Sequence, residues 1–235
     1  MAECNLSTSP TEHHRGRYSS KSFGISFGGG QVHPGNLCQS KADNRAWNNF
    51  RSMPEVQKLA RRVDYLFKCY FPRLHTLYTN VLSDLLKADP NLDANFEGCC
   101  FAASTLNFQR AITVPHCDSK NLICGECAIH CEGSFDYKKG GHLVLWDLKL
   151  VIEFPPGSTA IFPSALLKHS NTSIQPSERR YSMTFYSASG LFRWRHNNYM
   201  SDKDILSGAP KDVLSKWREH RENLWRTGLD LLKPF

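Results

Sequence analysis

Residues 142–163 read HLVLWDLKLVIEFPPGSTAIFP, and their texture decides the fold. Three short runs rich in Leu, Val, Ile and Phe, at 142–147, 149–154 and 158–163, are punctuated by Pro155-Pro156-Gly157, the composition of strands and turns. Working outward, the same texture recurs at 99–108, 111–115, 123–131 and 179–188, with Gly140-Gly141 as a further turn signal. Seven strand candidates with no helical pattern between them exclude alternating βαβ units. An antiparallel sandwich or barrel is the expected core.

Helical periodicity lies on either side of this core. Val56, Leu59, Ala60, Val63, Leu66, Phe67 and Tyr70 recur at helical spacing behind Pro54, and Pro72 forces a break or a new start. A second helix through Leu74, Leu77, Tyr78, Val81, Leu82, Leu85 and Leu86 ends before Asp89-Pro90. After Gly190 a polar link leads to a helix from about Pro210 to Leu232, with Val213, Leu214, Trp217, Leu224, Trp225 and Leu231 expected to face inward. Residues 1 to about 45, rich in Ser, Gly, His and Arg, read as an irregular arm. The expected organisation is therefore one domain over 1–235: the arm, supporting helices at 46–90, the β-core at 96–190 and a basic C-terminal helix within 191–235.

A chain of 235 residues with 40% hydrophobic and 22% charged residues can bury a sizeable core, which excludes disordered and fibrous classes. Its apolar runs fall far short of the roughly 20 residues that cross a bilayer. Met1 to Pro10 lacks the apolar segment of a secretory leader. Nine cysteines, an odd number scattered without such a leader, suggest a reducing intracellular compartment. A formal charge of +7 favours a polyanionic partner without requiring one.

The chemistry is concentrated in His116-Cys117-Asp118, followed 51 positions beyond Asp118 by His169. On extended backbone, residues i and i+2 point to one side, so His116 and Asp118 can offer a nitrogen and an oxygen to one ion, and His169 can complete a face. Two His and one carboxylate leave open positions on an octahedral metal, the donor set of non-haem Fe(II) oxygenases. Alone, a His-x-Asp is commonplace. In the strand 178–186, however, Arg180, Ser182, Thr184 and Tyr186 share a face, and an inward Arg with Ser two positions on suits the far carboxylate of 2-oxoglutarate. Arg179, on the opposite face, reads as a surface residue.

The segments HCDSKN (116–121), GGHLVLWDLKLVIEFPPGST (140–159), HSNT (169–172) and ERRYS (178–182) together resemble Fe(II)- and 2-oxoglutarate-dependent dioxygenases of the TET and base-J-binding-protein superfamily, most nearly its fungal branch. GISFGGGQ (24–31) and PGN (34–36) are similar to that branch as well. The resemblance implies an α+β chain with a double-stranded β-helix core, a cupin-like jelly roll, flanked by helices. It implies Fe(II) held by His116, Asp118 and His169, 2-oxoglutarate anchored by Arg180 and Ser182, and O2 as second cosubstrate. The expected activity is oxidation of 5-methylcytosine in DNA, with the nucleotide flipped out of the duplex by a nuclear, monomeric enzyme. Alternatives are demethylation of N6-methyladenine and a catalytically inactive DNA-binding relative.

Gln31 and Asn36 in the arm, Asn107 before the triad, and Arg193 and Arg195 after the core are the candidate substrate contacts. Arg15, Arg17, Lys21, Lys216, Arg218 and Arg221 extend the basic set on both sides of the core. Cys124, Cys127 and Cys131 could suggest zinc, but Cys127, Ile129 and Cys131 suit one buried strand face and no second Cys-x-x-Cys follows. Gly28 to Gly30 lack the Gly-Lys-Ser/Thr of a nucleotide loop; they are expected to let backbone approach the active-site mouth or DNA. His142 reads as a core or rim histidine.

Overall fold

A computed structural model describes residue 6 and residues 11–13, 15–37 and 39–233; most of the segment Met1 to Pro10, together with Cys4 and Cys38, lies outside them, as does the side chain of Arg17. The strands are β1 (Thr11–His13), β2 (Gly16–Ser26), β3 (Gly35–Asn36), β4 (Ala103–Phe108), β5 (Cys127–Ser134), β6 (Leu143–Leu145), β7 (Leu150–Ile152), β8 (Thr159–Phe162), β9 (His169–Asn171) and β10 (Arg179–Tyr186). The helices are α1 (Lys41–Arg51), α2 (Pro54–Tyr70), α3 (Pro72–Ala88), α4 (Ser189–His196), α5 (Asp202–Gly208) and α6 (Lys211–Leu232). Every strand pair is antiparallel. A large sheet runs β1-β2-β4-β10-β5-β8 with β3 on β2, and a small one runs β7-β6-β9. Among the described residues no helix is long and apolar enough to cross a membrane.

Pro54 and Pro72 each sit in the first turn of a helix, where the missing N–H would have no partner anyway. The apolar faces of α1 to α3 cover one face of the large sheet: Trp47, Phe50, Val63, Phe67, Leu74 and Tyr78 share a core with Phe101, Leu106, Met183 and Phe185. Asp64 of α2 clasps this layer to the loop before β4, accepting from the Cys100 backbone N–H at 2.8 Å and lying 3.0 Å from His75 Nε2. A smaller apolar layer of Cys131, Leu143, Leu145, Phe154 and Phe162 lies between the two sheets. The helices take one face of the large sheet, which leaves the other for a site.

Phe101 is fully buried, with ring centroids of Phe67 and Tyr78 at 5.0 and 5.7 Å. Phe101→Ala is expected to cost about 3–5 kcal/mol, read as a lower urea midpoint at unchanged slope. Glu126 is buried with Oε2 lacking a partner, and burial pushes its carboxyl from 4.5 up to about 7. The folded state then holds this proton more tightly than the unfolded chain, so stability falls as pH climbs from 4.5 to about 7 and levels off above. Glu126→Gln should leave the melting temperature near its wild-type value at pH 4.5 and stabilise by about 2 kcal/mol at pH 8, measured by thermal melts across pH.

Several sequence expectations need correction. The arm is not irregular throughout: β2 is an eleven-residue strand, and α1 begins at Lys41, inside the arm's expected bounds. The segment 111–115 is not a strand; its Thr113 N–H donates instead to Asn171 Oδ1. The strand expected at 123–131 starts at Cys127, because Leu122 to Gly125 make a turn. A three-residue strand, β9, carries His169. In α6, Val213, Leu224 and Trp225 are exposed. The contact stripe is narrower: Gly228 is buried against Cys124, Leu231 packs on the core, and Trp217 Nε1 donates to Asn197 Oδ1.

Candidate active site

His116 and His169 face one another across an isolated antiparallel bridge, each N–H donating to the other's carbonyl at 3.0 and 2.9 Å. Asp118 follows two residues on, with its N–H on Ser164 O. The register brings three donor side chains together, and their ligand atoms all lie within 4.8 Å of one another. Asp118 Oδ1 is 3.7 Å from His116 Nε2, and Oδ2 is 3.9 Å from His169 Nε2. The Nδ1 atoms lie 2.8 Å from Val114 O and 2.9 Å from Leu167 O. A carbonyl only accepts, so each Nδ1 must carry its proton, and in the neutral ring each Nε2 lone pair is free for a metal. Burial, together with the neighbouring His169 and Arg15, draws the His116 imidazole below its ordinary pKa and favours the neutral form that ligates.

The rest of the site is a ladder on the sheet face opposite the helices. Ser20, Asn107, Ser182 and Cys131 form one rung, and Ser22, Thr105, Thr184 and Ile129 form the next. Arg180 lies beyond the first rung and Tyr186 beyond the second. Arg180 is 5% exposed, its Nε has no partner, and no carboxylate pairs with it among the described residues. Its guanidinium lies 5.8 Å from the Phe154 ring centroid. Burial lowers its pKa, while the Cys131 thiol raises it. A buried guanidinium left so is costly unless an anion joins it. Ser182 Oγ accepts from Asn107 Nδ2 at 3.1 Å, which directs the serine hydroxyl hydrogen away from Asn107.

These groups line a cavity of about 440 Å³, a size ordinary for small ligands. His116, Asp118, His169, Arg180, Ser182 and Asn107 all reach it. Gln31, Asn36, Arg193 and Arg195 do not. Gln31 is exposed in the turn after the glycines. Asn36 ties the arm to the loop after α3, donating to Asn91 O and accepting from Asp93 N–H. Arg193 pairs with Asp202 and Arg195 with Asp84.

Cavity residues that the sequence reading did not place there come mainly from β2 and its approach. Arg15 Nη2 is 2.8 Å from Asp118 Oδ1, so this residue of the expected basic arm turns inward onto a metal-ligand candidate. Tyr18, Ser20 and Ser22 alternate along β2 into the cavity, and Ser22 Oγ lies 2.6 Å from Thr105 Oγ1. Asn171 accepts from the Thr113 N–H and hydroxyl and donates to Ala111 O, tying the approach to His116 onto the strand of His169. The one available signal was the alternation Tyr18-x-Ser20-x-Ser22.

No protein-family model matches the sequence, and no curated protein matches it. Among solved structures, the chain is similar to NgTET1 in complex with 5mC DNA, at 17% identity and a TM-score of 0.56, over 73% of this chain and 61% of that one. It is also similar to an oxidoreductase of the 2OG-Fe(II) oxygenase family from Burkholderia pseudomallei, at 15% identity and a TM-score of 0.42, over 78% and 74% of the two chains. This chain thus spans less than two thirds of the NgTET1 chain. With helices on one face of an antiparallel sheet and the cavity on the other, it has the fold of NgTET1.

Proposed function

We propose that this chain is an Fe(II)- and 2-oxoglutarate-dependent dioxygenase of the TET and base-J-binding-protein superfamily, fungal branch, with a jelly-roll core, which oxidises 5-methylcytosine in DNA to 5-hydroxymethylcytosine and onward. One observation carries the reading: a two-His, one-carboxylate cluster and a buried guanidinium that has no counter-ion among the described residues open into one cavity. The solved relative was complexed with 5mC DNA, and the positive charge suits a polyanion. That substrate puts the enzyme in the nucleus.

The donor set fits the group it would hold. His116, Asp118 and His169 supply two neutral nitrogens and a carboxylate oxygen to Fe(II). Arg180 and Ser182 take the far carboxylate of 2-oxoglutarate, the guanidinium through paired N–H groups and the hydroxyl through the hydrogen that Asn107 leaves free. Bound iron, 2-oxoglutarate and O2 supply the oxidising chemistry. Arg15 holds the Asp118 carboxylate in place, and the hydroxyls of Ser20, Ser22 and Thr105 offer polar contacts to a substrate in the cavity. A methyl group inside a duplex cannot reach this cavity, so the nucleotide must be extruded at a cost of a few kcal/mol.

The test is a panel of DNA and RNA oligonucleotides carrying 5-methylcytosine or N6-methyladenine, incubated with Fe(II), ascorbate and 2-oxoglutarate and read by nucleoside mass spectrometry. Conversion of 5-methylcytosine in DNA to its hydroxymethyl form is expected. Unchanged 5-methylcytosine with formaldehyde released from N6-methyladenine DNA would replace this reading by demethylation of adenine, because a hydroxymethyl on an exocyclic nitrogen collapses whereas one on C5 is stable.

A further inference from the structure

Resting on the DNA reading above, we propose that Gly28, Gly29 and Gly30 with Lys120 form a cradle at the cavity mouth for a backbone phosphate of the DNA strand whose base is flipped. The three glycines have φ of 136°, 62° and 95°, a run of left-handed backbone that side-chain-bearing residues rarely adopt. None of their N–H groups finds an acceptor among the described residues. A Cβ added at Gly28 or Gly30 would meet open space, and one at Gly29 would come 3.2 Å from Lys120 Nζ. The loop therefore brings free backbone donors and an ammonium to one exposed spot.

Lys120 has no carboxylate partner among the described residues, unlike Arg15, Lys21, Arg193, Arg195 and Arg221, each of which pairs with an Asp. Its backbone is fixed: the carbonyl accepts from Ser189 N–H at 2.8 Å, and the turn Asp118 to Asn121 is closed by a 2.8 Å hydrogen bond. Lys120 and Ser26, two residues before the glycines, both line the cavity. Lys120 is thus two residues from a metal-ligand candidate, and its ammonium and the Gly29 backbone lie together beside the cavity. Unpartnered backbone N–H groups beside an ammonium are donors of the kind that phosphate oxygens take. The 2-oxoglutarate carboxylate already has Arg180, so the mouth is left for the strand's own anions.

The test is fluorescence anisotropy of the full chain with a labelled 5-methylcytosine duplex across a salt series, and with the RNA of the same sequence. Lys120→Ala should weaken DNA binding about tenfold and reduce the slope of log affinity against log salt by about 0.9, while Lys120→Arg restores the slope. Gly30→Ala meets open space but strains a left-handed backbone, so it should weaken binding together with a lowered melting temperature of the apo protein, and Lys120→Ala, which carries no such strain, is the deciding variant. A Lys120→Ala protein with wild-type affinity and slope, in an enzyme that oxidises the duplex, overturns the cradle alone. Wild-type protein that neither binds nor oxidises the duplex overturns the DNA reading and the cradle with it. Lys120-dependent binding of the RNA with none of the DNA overturns the assignment to DNA.

Discussion

Asp118→Asn is expected to abolish 2-oxoglutarate turnover, a fall of about three orders of magnitude or more, with the fold intact. The change is close to isosteric, so packing is not at issue. What disappears is the anionic donor between two imidazoles whose Nδ1 protons are already committed to Val114 and Leu167 carbonyls. The Asn amide also puts N–H groups beside Arg15, where the carboxylate now forms an ion pair with the guanidinium at 2.8 Å. Iron content by elemental analysis should fall together with turnover, and circular dichroism should not change. His116→Ala and His169→Ala should behave alike. Any of the three variants retaining iron and full turnover would remove that residue from the ligand set.

The second large effect is at Arg180. Arg180→Met keeps the length of the side chain and removes the charge, so the far carboxylate of 2-oxoglutarate loses paired charge-assisted hydrogen bonds. At about 1.5–3 kcal/mol for each such bond, the KM for 2-oxoglutarate should rise by about a hundredfold or more. The sign of the stability change separates this role from a structural one. In the protein without cosubstrate the guanidinium is buried, and among the described residues its Nε has no partner and no carboxylate pairs with it, so replacing it by Met should leave the melting temperature unchanged or raise it. Metal alone should stabilise both proteins, whereas 2-oxoglutarate added to the metal-loaded protein should stabilise the wild type much more than the variant. Marked destabilisation of the apo variant would mean that Arg180 is there to hold the fold.

The grouping of His116 with Asp118, and of Arg180 with Ser182, was legible in the sequence because it depends on local geometry: each pair needs only extended backbone and a period of two to point together. Helices α2 and α3 were legible because they bury one face and carry Pro54 and Pro72 at their first turns. The failure at β2 has a physical cause. Its inner face, Tyr18, Ser20 and Ser22, looks into a polar cavity rather than a core, so the alternation of apolar and polar residues that marks a half-buried strand is missing. The inward turn of Arg15 was hidden for the same reason, since a basic residue near a terminus reads as solvated until the strand beside it is seen. In α6 the sequence carries more apolar residues than the fold covers, because the apolar contacts of the helix run through Trp217, Gly228 and Leu231, while His220, Arg221 and Asp230 meet the rest of the chain through polar groups. Helical spacing does not tell which of two apolar stripes finds a partner. Lys120 escaped notice because its meeting with Gly29 depends on a loop more than ninety positions away.

The most direct measurement is of succinate and 5-hydroxymethylcytosine together, in one reaction of purified protein with a 5-methylcytosine duplex, Fe(II), 2-oxoglutarate and O2. The expected result is that the two products rise in step, that neither forms when iron is withheld, and that neither forms with Asp118→Asn. Protein that binds iron yet leaves both 2-oxoglutarate and 5-methylcytosine unchanged would contradict the proposed function at its centre.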